Sequence, residues 1–206
     1  MVTTIDLRKE LKPLYSPSAK EPELVRVPKF QYLMINGEGA PESQAFQQSV
    51  QALYSTAYTA KFIFKFEKKI EYPVMALEGL WWVKNGKPFT MGKREDWLWT
   101  LMILQPEVVT KTALTAATKK IREKKDVPLL ERVYLKSFAE RLCVQMMHVG
   151  PYSTEPETVQ TMPRCIETHG LAPKGKHHEI YLSDPRRAKP EKMKTILRFA
   201  VAKTNQ

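Results

Sequence analysis

The 206-residue sequence predicts an α+β domain in which two strand–helix–strand–strand repeats form an antiparallel sheet with helices on one side. Two strings, Met34–Gly37 and Met147–Gly150, each end a strand-like stretch at a glycine turn. An amphipathic helical stretch follows each turn, and two further strand-like stretches follow each helix. Because this order of elements occurs twice, we expect two repeats with a ligand-binding groove where they meet.

The first repeat is predicted over residues 24–126, after an N-terminal arm over residues 1–23. The arm is polar and contains three prolines, so we expect it to lie on the surface. Leu24–Ile35 is rich in β-branched and aromatic residues and is predicted as the first strand. The helix after it carries one apolar stripe at helical spacing. That stripe consists of Phe46, Val50, Leu53 and Ala57.

Two more strands are predicted in the first repeat, over Tyr72–Val83 and Trp97–Leu104. Both faces of the first of these strands are largely apolar, so we expect it to be covered on both sides. A polar loop over Lys84–Asp96 separates the two strands. A helix rich in alanine and lysine, Thr110–Lys125, ends the repeat.

The second repeat is predicted over residues 127–206. Its helix is expected near Thr154–His169, where Gly170 provides a stop signal. Pro163 is expected to kink this helix or to shift its start. The strands are predicted at Leu142–Val149, His177–Leu182 and Thr195–Ala202.

Composition argues against several classes of protein. No apolar run is long enough to span a bilayer, and the N-terminus lacks the apolar stretch of a secretory signal. Cys143 and Cys165 lie outside any metal-binding pattern. We therefore predict a cytoplasmic protein with reduced thiols, no membrane contact, no metal and no cofactor.

The net charge of +11 raises the question of nucleic acid. The densest basic runs, Lys119–Lys125 and Pro185–Lys189, are typical of a solvated helix end and of a turn. No DNA-binding motif accompanies them. The sequence therefore argues against a nucleic-acid-binding surface, and a macromolecular partner such as DNA or a topoisomerase is the third-ranked hypothesis.

Five strings in a fixed order carry a family resemblance. Together they resemble the GyrI-like small-molecule-binding family in its stand-alone form, over Leu24–Val201. Ala40 departs from the family pattern, in which an acidic residue often precedes the proline of the first turn. The strings are Ile35–Gly39, Ala52–Tyr54, Leu77–Trp82, Val149–Tyr152 and Glu179–Pro185.

The resemblance implies two repeats related by a pseudo-two-fold axis, with a ligand cleft between them. Relatives serve as drug-sensing domains of transcription regulators, in which a buried glutamate meets cationic lipophilic ligands. Other relatives are associated with gyrase protection, and some stand-alone relatives hydrolyse cyclopropane-bearing DNA-alkylating natural products.

Three carboxylates are candidate functional groups. Glu179, on a predicted strand inside an apolar domain, is the leading candidate for general acid or base chemistry, against the alternative of an edge-strand ion pair. Glu157 is the second candidate, although with Thr154 it also fits a capping box. Glu78, beside the tryptophans, would hold a cation or a water molecule, or would pair with a neighbouring arginine or backbone group.

Aromatic side chains are predicted to bind a planar, lipophilic ligand that is cationic or electrophilic. Tyr54 is the tyrosine most expected to act in catalysis by donating to a carbonyl oxygen. His148 is predicted to line the groove, against the alternative of a structural histidine. For the tryptophans, the alternative to ligand binding is ordinary packing in the core. The aromatic ligand-binding candidates are Trp81, Trp82, Trp97, Trp99, Tyr152 and Tyr181.

Two hypotheses of different class follow from these residues. In the first, the protein is a cofactor-independent hydrolase that opens a cyclopropane ring and so detoxifies a genotoxic compound. In the second, it is a non-catalytic module that senses or sequesters a drug. The number of carboxylates in the pocket discriminates them, because one suits cation binding and two with a tyrosine suit hydrolysis. Haem ranks low, since no axial-ligand site is evident.

Overall fold

The computed structural model describes residues 2–84 and 93–204. It is a mixed α+β protein whose long strands pair antiparallel, as predicted, and Thr3–Thr4 forms a short parallel pair with Ile70–Glu71. The chain divides into two compact units, each assembled from separate stretches of sequence. The first unit comprises residues 1–10, 30–76 and 82–138, and the second comprises residues 11–29, 77–81 and 139–206.

The helices and strands have the following bounds. The α-helices are α1 (Leu7–Glu10), α2 (Lys12–Tyr15), α3 (Gln44–Ile63), α4 (Lys111–Arg122), α5 (Glu155–Val159) and α6 (Met162–Thr168). The strands are β1 (Thr3–Thr4), β2 (Glu23–Glu38), β3 (Ile70–Glu71), β4 (Leu77–Val83), β5 (Trp97–Gln105), β6 (Tyr134–Val149), β7 (Leu171–Tyr181) and β8 (Lys194–Lys203).

The first unit is built on the antiparallel pairing of β2 with β5. The indole of Trp99 lies over Gly37, where a Cβ atom would approach the ring to 2.1 Å. Only glycine leaves room for this ring, which also packs edge-on against Phe46 at 5.3 Å. Helix α3 begins at the Ser43 cap, whose hydroxyl accepts from the Phe46 amide. None of the helices in the described residues is both long and apolar enough to cross a membrane.

One predicted strand of the first repeat is shorter than expected. The prediction began it at Tyr72, whereas β4 begins at Leu77. Pro73 lies in the missing part, and a proline has no amide hydrogen to donate to a ladder. Residues Leu77–Trp81 are buried on both faces, as predicted. Positions 85–92 of the predicted loop lie outside the described residues.

The second unit contains a sheet in which Leu77–Trp81 pairs with β7, β7 with β8, and β8 with β6, all antiparallel. One face of this sheet packs against α6 through an apolar core. The single predicted helix over 154–169 is divided into α5 and α6, and Pro163 lies at the start of α6, which confirms the predicted disruption. The core comprises Val144, Met162, Ile166, Leu171, Leu197 and Val201.

The opposite face of this sheet buries a network of charged groups. His178 is fully buried and lies between two carboxylates, with Nε2 3.0 Å from Glu78 and Nδ1 2.9 Å from Glu140. Both ring nitrogens can donate only in the imidazolium form. Burial alone would lower the pKa of His178, but Glu140 and Glu78 raise it to about 9. Arg198, 1% exposed, adds the second positive charge beside Glu140.

The N-terminal arm completes this network. The Leu14 carbonyl accepts from Arg198 Nη2 at 2.7 Å, and the Tyr15 hydroxyl donates to Glu78 at 2.6 Å. Leu14 is itself buried. The prediction of a surface arm is therefore wrong for α2, because the buried guanidinium requires acceptors that the arm supplies.

The free energy of unfolding is expected to fall as pH rises above neutrality. The folded pKa of His178 lies above its ordinary value of 6.5, so its stabilisation is fully present below pH 6.5 and is lost as pH rises through about 9. The effect is on the order of 3 kcal/mol. Urea unfolding of the wild type and of His178→Gln at pH 6 and pH 9.5 measures it. Equal pH dependence in the two proteins would contradict this assignment.

Candidate functional site

The candidate site lies on the helix-bearing face of the sheet in the second unit. Successive side chains of a strand point to opposite faces, so His177, Glu179 and Tyr181 share this face while His178 points to the buried ion network. Glu179 lies opposite Gly79 on the neighbouring strand, and Trp81 lies opposite His177. A carboxylate, an imidazole, a phenol and an indole are thereby brought together.

Glu179 is held by two neighbours. The Tyr181 hydroxyl donates to Glu179 Oε2 at 2.7 Å, and His177 Nε2 lies 3.0 Å from Glu179 Oε1. The Trp81 indole in turn donates to the Tyr181 oxygen at 2.9 Å. This chain of donors fixes the carboxylate, while its remaining lone pairs can still accept from a water molecule.

Gly79 makes the indole–phenol contact possible. A Cβ atom at this position would lie 2.7 Å from Trp81 Nε1 and 3.1 Å from the Tyr181 oxygen. The segment Leu77–Glu78–Gly79 therefore contributes residues to both faces of the sheet. Its glutamate enters the ion network, and its glycine leaves space at the site.

Glu155, the first residue of α5, is the second carboxylate of the site. It is 2% exposed, and its Oε1 atom has no hydrogen-bond partner among the described residues. Burial and then the negative charge of Glu179 raise the pKa of Glu155 well above its usual range. At neutral pH Glu155 therefore keeps its proton beside Glu179.

Tyr152 forms the accessible side of the site, next to the more buried Tyr181. Burial and the Glu179 charge hold the pKa of Tyr181 well above its ordinary value, so its hydroxyl keeps its proton. The Tyr152 ring packs edge-on to the Tyr181 ring, with centroids 5.9 Å apart. Tyr152 is 37% exposed and offers an aromatic surface to a ligand that approaches from solvent.

Glu157, which the sequence placed in the site, is exposed. The predicted capping box is also absent, since the Thr154 hydroxyl donates to the Pro151 carbonyl instead of capping the helix. The sequence offered Glu157 for the pocket, with a capping role as the alternative, whereas the buried acid is Glu155. Its proximity to Glu179 depends on how α5 packs on the sheet, which no sequence signal records.

Glu78 and His148 have structural partners. Glu78 is fully buried in the His178 network. His148 Nδ1 lies 2.9 Å from the Thr158 hydroxyl, and its Nε2 lies 3.2 Å from the Pro151 carbonyl oxygen. Both residues thus fit the structural alternatives that the sequence left open.

The remaining aromatic candidates belong to the first unit. Trp97 and Trp99 are buried, and Trp82 is half-buried. Tyr54 is a half-buried residue of α3 whose ring lies 6.2 Å from the Tyr58 ring. Of the predicted tryptophans, Trp81 is the one that the second unit brings to Glu179.

No group of three or more histidine, cysteine, aspartate or glutamate side chains within 2–84 and 93–204 is arranged to hold a metal ion.

Comparisons with known proteins agree with this fold. The model of the GyrI-like small molecule binding domain matches residues 20–201. A conserved, uncharacterized protein from Listeria innocua is 45% identical, with a TM-score of 0.90 over 96% of this chain and 100% of that chain. A hydrolase from Listeria innocua is 44% identical, with a TM-score of 0.85 over 96% of this chain and 100% of that chain.

A more distant similarity shows the fold alone. The EcmrR C-terminal domain is 10% identical, with a TM-score of 0.58 over 89% of this chain and 98% of that chain. None of the curated proteins matches the sequence.

Replacing Gly79 by alanine is expected to lower the free energy of unfolding by about 1–3 kcal/mol, because the new methyl group would displace the indole. In a Trp81→Phe background the same change should cost less, since the nearest atom, Trp81 Nε1, is gone. Urea unfolding of the four proteins in this double-mutant cycle measures the coupling. Additive effects would contradict the steric role of Trp81.

Proposed function

The chain belongs to the GyrI-like small-molecule-binding domain family, and we propose that it hydrolyses a bulky, partly aromatic electrophile. The proposed substrate class is a cyclopropane-bearing genotoxic compound, and the proposed outcome is detoxification. The observation that carries the proposal is the buried pair of Glu155 and Glu179 beside Tyr181. Two carboxylates with a tyrosine suit hydrolysis better than cation binding.

The two glutamates take different roles because their surroundings differ. Glu179 is the proposed general base, since Tyr181 and His177 orient it and leave lone pairs for water. Glu155 is the proposed general acid, since burial beside a negative charge keeps its proton on at neutral pH. Glu155 is buried next to Thr195, so a ligand would have to enter the site to receive its proton.

The proposed reaction adds one water molecule across a strained carbon–carbon bond. Glu179 takes a proton from water while the hydroxyl oxygen bonds to the ring carbon. The cyclopropane bond breaks, its electron pair moves into the conjugated carbonyl, and Glu155 donates a proton to that oxygen. The two carboxyl groups then exchange their proton through solvent, which restores the starting state.

Aromatic contacts would hold the substrate for this step. Tyr152 offers an exposed ring at the side of the pair, and Tyr181 and Trp81 form the wall next to Glu179. These surfaces favour a flat ligand. The Listeria hydrolase, which shares 44% of its residues with this chain, adds support for a hydrolytic activity.

A non-catalytic sensing or sequestering module is the second candidate. The Glu179 side chain beside the Tyr181 and Trp81 rings would suit a lipophilic cation. The buried, protonated Glu155 disfavours this role, because it adds an acid that a cation does not need. The association with gyrase or DNA remains a lower-ranked hypothesis.

Removing either carboxylate is expected to reduce ring opening. Glu179→Gln should lower kcat/KM by about 10²- to 10⁴-fold, because an amide cannot accept the proton of water. Glu155→Gln should lower it by a similar factor, because an amide cannot release a proton to the conjugated carbonyl oxygen. Mass spectrometry of a cyclopropane-bearing DNA alkylator incubated with each purified protein measures the hydrated product.

Glu157→Gln is the matched control, since it changes an exposed glutamate two residues further along the same helix. It should retain wild-type turnover. Tight binding without turnover by the wild type would favour the sensing module. Turnover that survives in Glu179→Gln would exclude Glu179 as the base.

The activity is expected to fall on the alkaline side of neutrality. Glu155 must be protonated to act as an acid, and its raised pKa keeps it so until pH exceeds that value. The residual activity of Glu155→Gln should lose this alkaline limb, because glutamine does not titrate. A profile of kcat/KM between pH 6 and pH 10 tests this. The same limb in both proteins would assign it to another group.

A further inference from the structure

An exposed groove lies on the first unit, between helices α3 and α4. Its apolar walls are Phe62, Ile63, Phe66 and Ile121, and its volume is about 310 Å³. Lys120, Lys124 and Lys125 line its other side. We call this surface the aromatic groove. It belongs to the first unit, whereas Glu155 and Glu179 belong to the second.

Two phenyl rings of the groove are exposed to solvent, although phenylalanine side chains are usually buried in a folded protein. Phe62 is 46% exposed and Phe66 is 64% exposed. Their rings are nearly parallel, 14° apart, with centroids at 5.9 Å. Large exposed phenyl rings grouped in one patch are typical of interaction surfaces.

A local distortion of the backbone produces this arrangement. Helix α3 continues into a π-helical turn, Phe64–Lys68, which ends at Lys69 in the left-handed region with φ 58°. A π-helical turn is rare and is often found at functional sites. In this π-helical segment the Phe64 side chain is buried in the core, whereas Phe66 is exposed to solvent beside Phe62.

The positive charge of the groove is concentrated at one end. Lys120 is already paired with Glu67 across the groove. Lys124 and Lys125 follow α4, are exposed, and form no ion pair within the described part of the chain. The Lys125 ammonium donates to the Ser55 hydroxyl at 3.3 Å, which holds it near α3.

We propose that the aromatic groove binds an acidic amphipathic helix of a partner protein. The apolar face of such a helix would cover Phe62 and Phe66, and its carboxylates would pair with Lys124 and Lys125. The stretch from Thr59 to Phe66 is on the order of 10 Å long, about two turns of a bound helix. Small alanines at the α3–α4 contact, Ala60 and Ala117, bring the two helices together below the groove.

Other occupants fit the groove less well. A small molecule is usually enclosed over most of its surface, and rings as exposed as Phe66 do not enclose one. Single-stranded nucleic acid needs free ring faces and a continuous basic track. Here the two phenyl rings stack on each other, and Arg122 is paired with Glu131 beyond the groove.

Selection from a displayed library of 16-residue helical peptides tests the proposal. The full chain is the bait, and the Phe66→Ser chain is the counter-bait. Enriched peptides should be acidic, with apolar residues at spacings of three and four. Their binding, measured by fluorescence anisotropy, should weaken at least tenfold in Phe66→Ser and in Lys124→Glu/Lys125→Glu.

Two controls keep the test decisive. Both variants change exposed residues, so their thermal melting should match the wild type, and Lys111→Glu, at the other end of α4, should bind as the wild type does. Ring-opening activity should also be unchanged, because Glu155 and Glu179 are untouched. Enrichment of peptides that are not acidic, or of none that depend on Phe66, would overturn the proposal. If a 20-nucleotide single-stranded DNA binds the wild type and not Phe66→Ser, the ligand of the aromatic groove is nucleic acid and not a peptide.

Discussion

The imidazolium of His178, held between Glu78 and Glu140, is the interaction on which the second unit depends. It fixes the register of β7, because a shift by one residue would bring His178 to the helix-bearing face and Glu179 to the ion network. Breaking a buried ion pair costs about 3–5 kcal/mol, since the remaining charge is left without a partner. The network thus decides which face of β7 carries the candidate site.

The candidate site is stabilised less well than the network behind it. In the network, two carboxylates face two cationic side chains, and the arm supplies one acceptor, the Leu14 carbonyl, and one donor, the Tyr15 hydroxyl. On the other face, Glu155 is buried with one oxygen atom unpartnered and a negative charge nearby. Buried polar groups without partners are rare in folded proteins and concentrate where function requires them. The two faces of the sheet therefore differ in role: the His178 network stabilises the fold, and the face that carries Glu155 forms the candidate site.

Helix α3 shows a similar division within the first unit. One face packs Leu53 and Ala57 into the core, and the other carries Phe62 and, after the π-helical turn, Phe66 into solvent. An ordinary amphipathic helix would present polar residues on the exposed face. The aromatic rings there have no role in the core, which is the physical reason for assigning them to a partner.

The sequence by itself determined the α+β class, the antiparallel pairing of the long strands and the break of the second helix at Pro163, because these follow from periodicity, proline and glycine. The repeats and their symmetry stay predictions. The tertiary structure alone decided that Glu155, and not Glu157, lies beside Glu179, that Glu78 joins His178 and Arg198, and that the arm is partly buried. Each of these depends on side chains far apart in the sequence, whose electrostatic and packing interactions arise only when the elements have assembled.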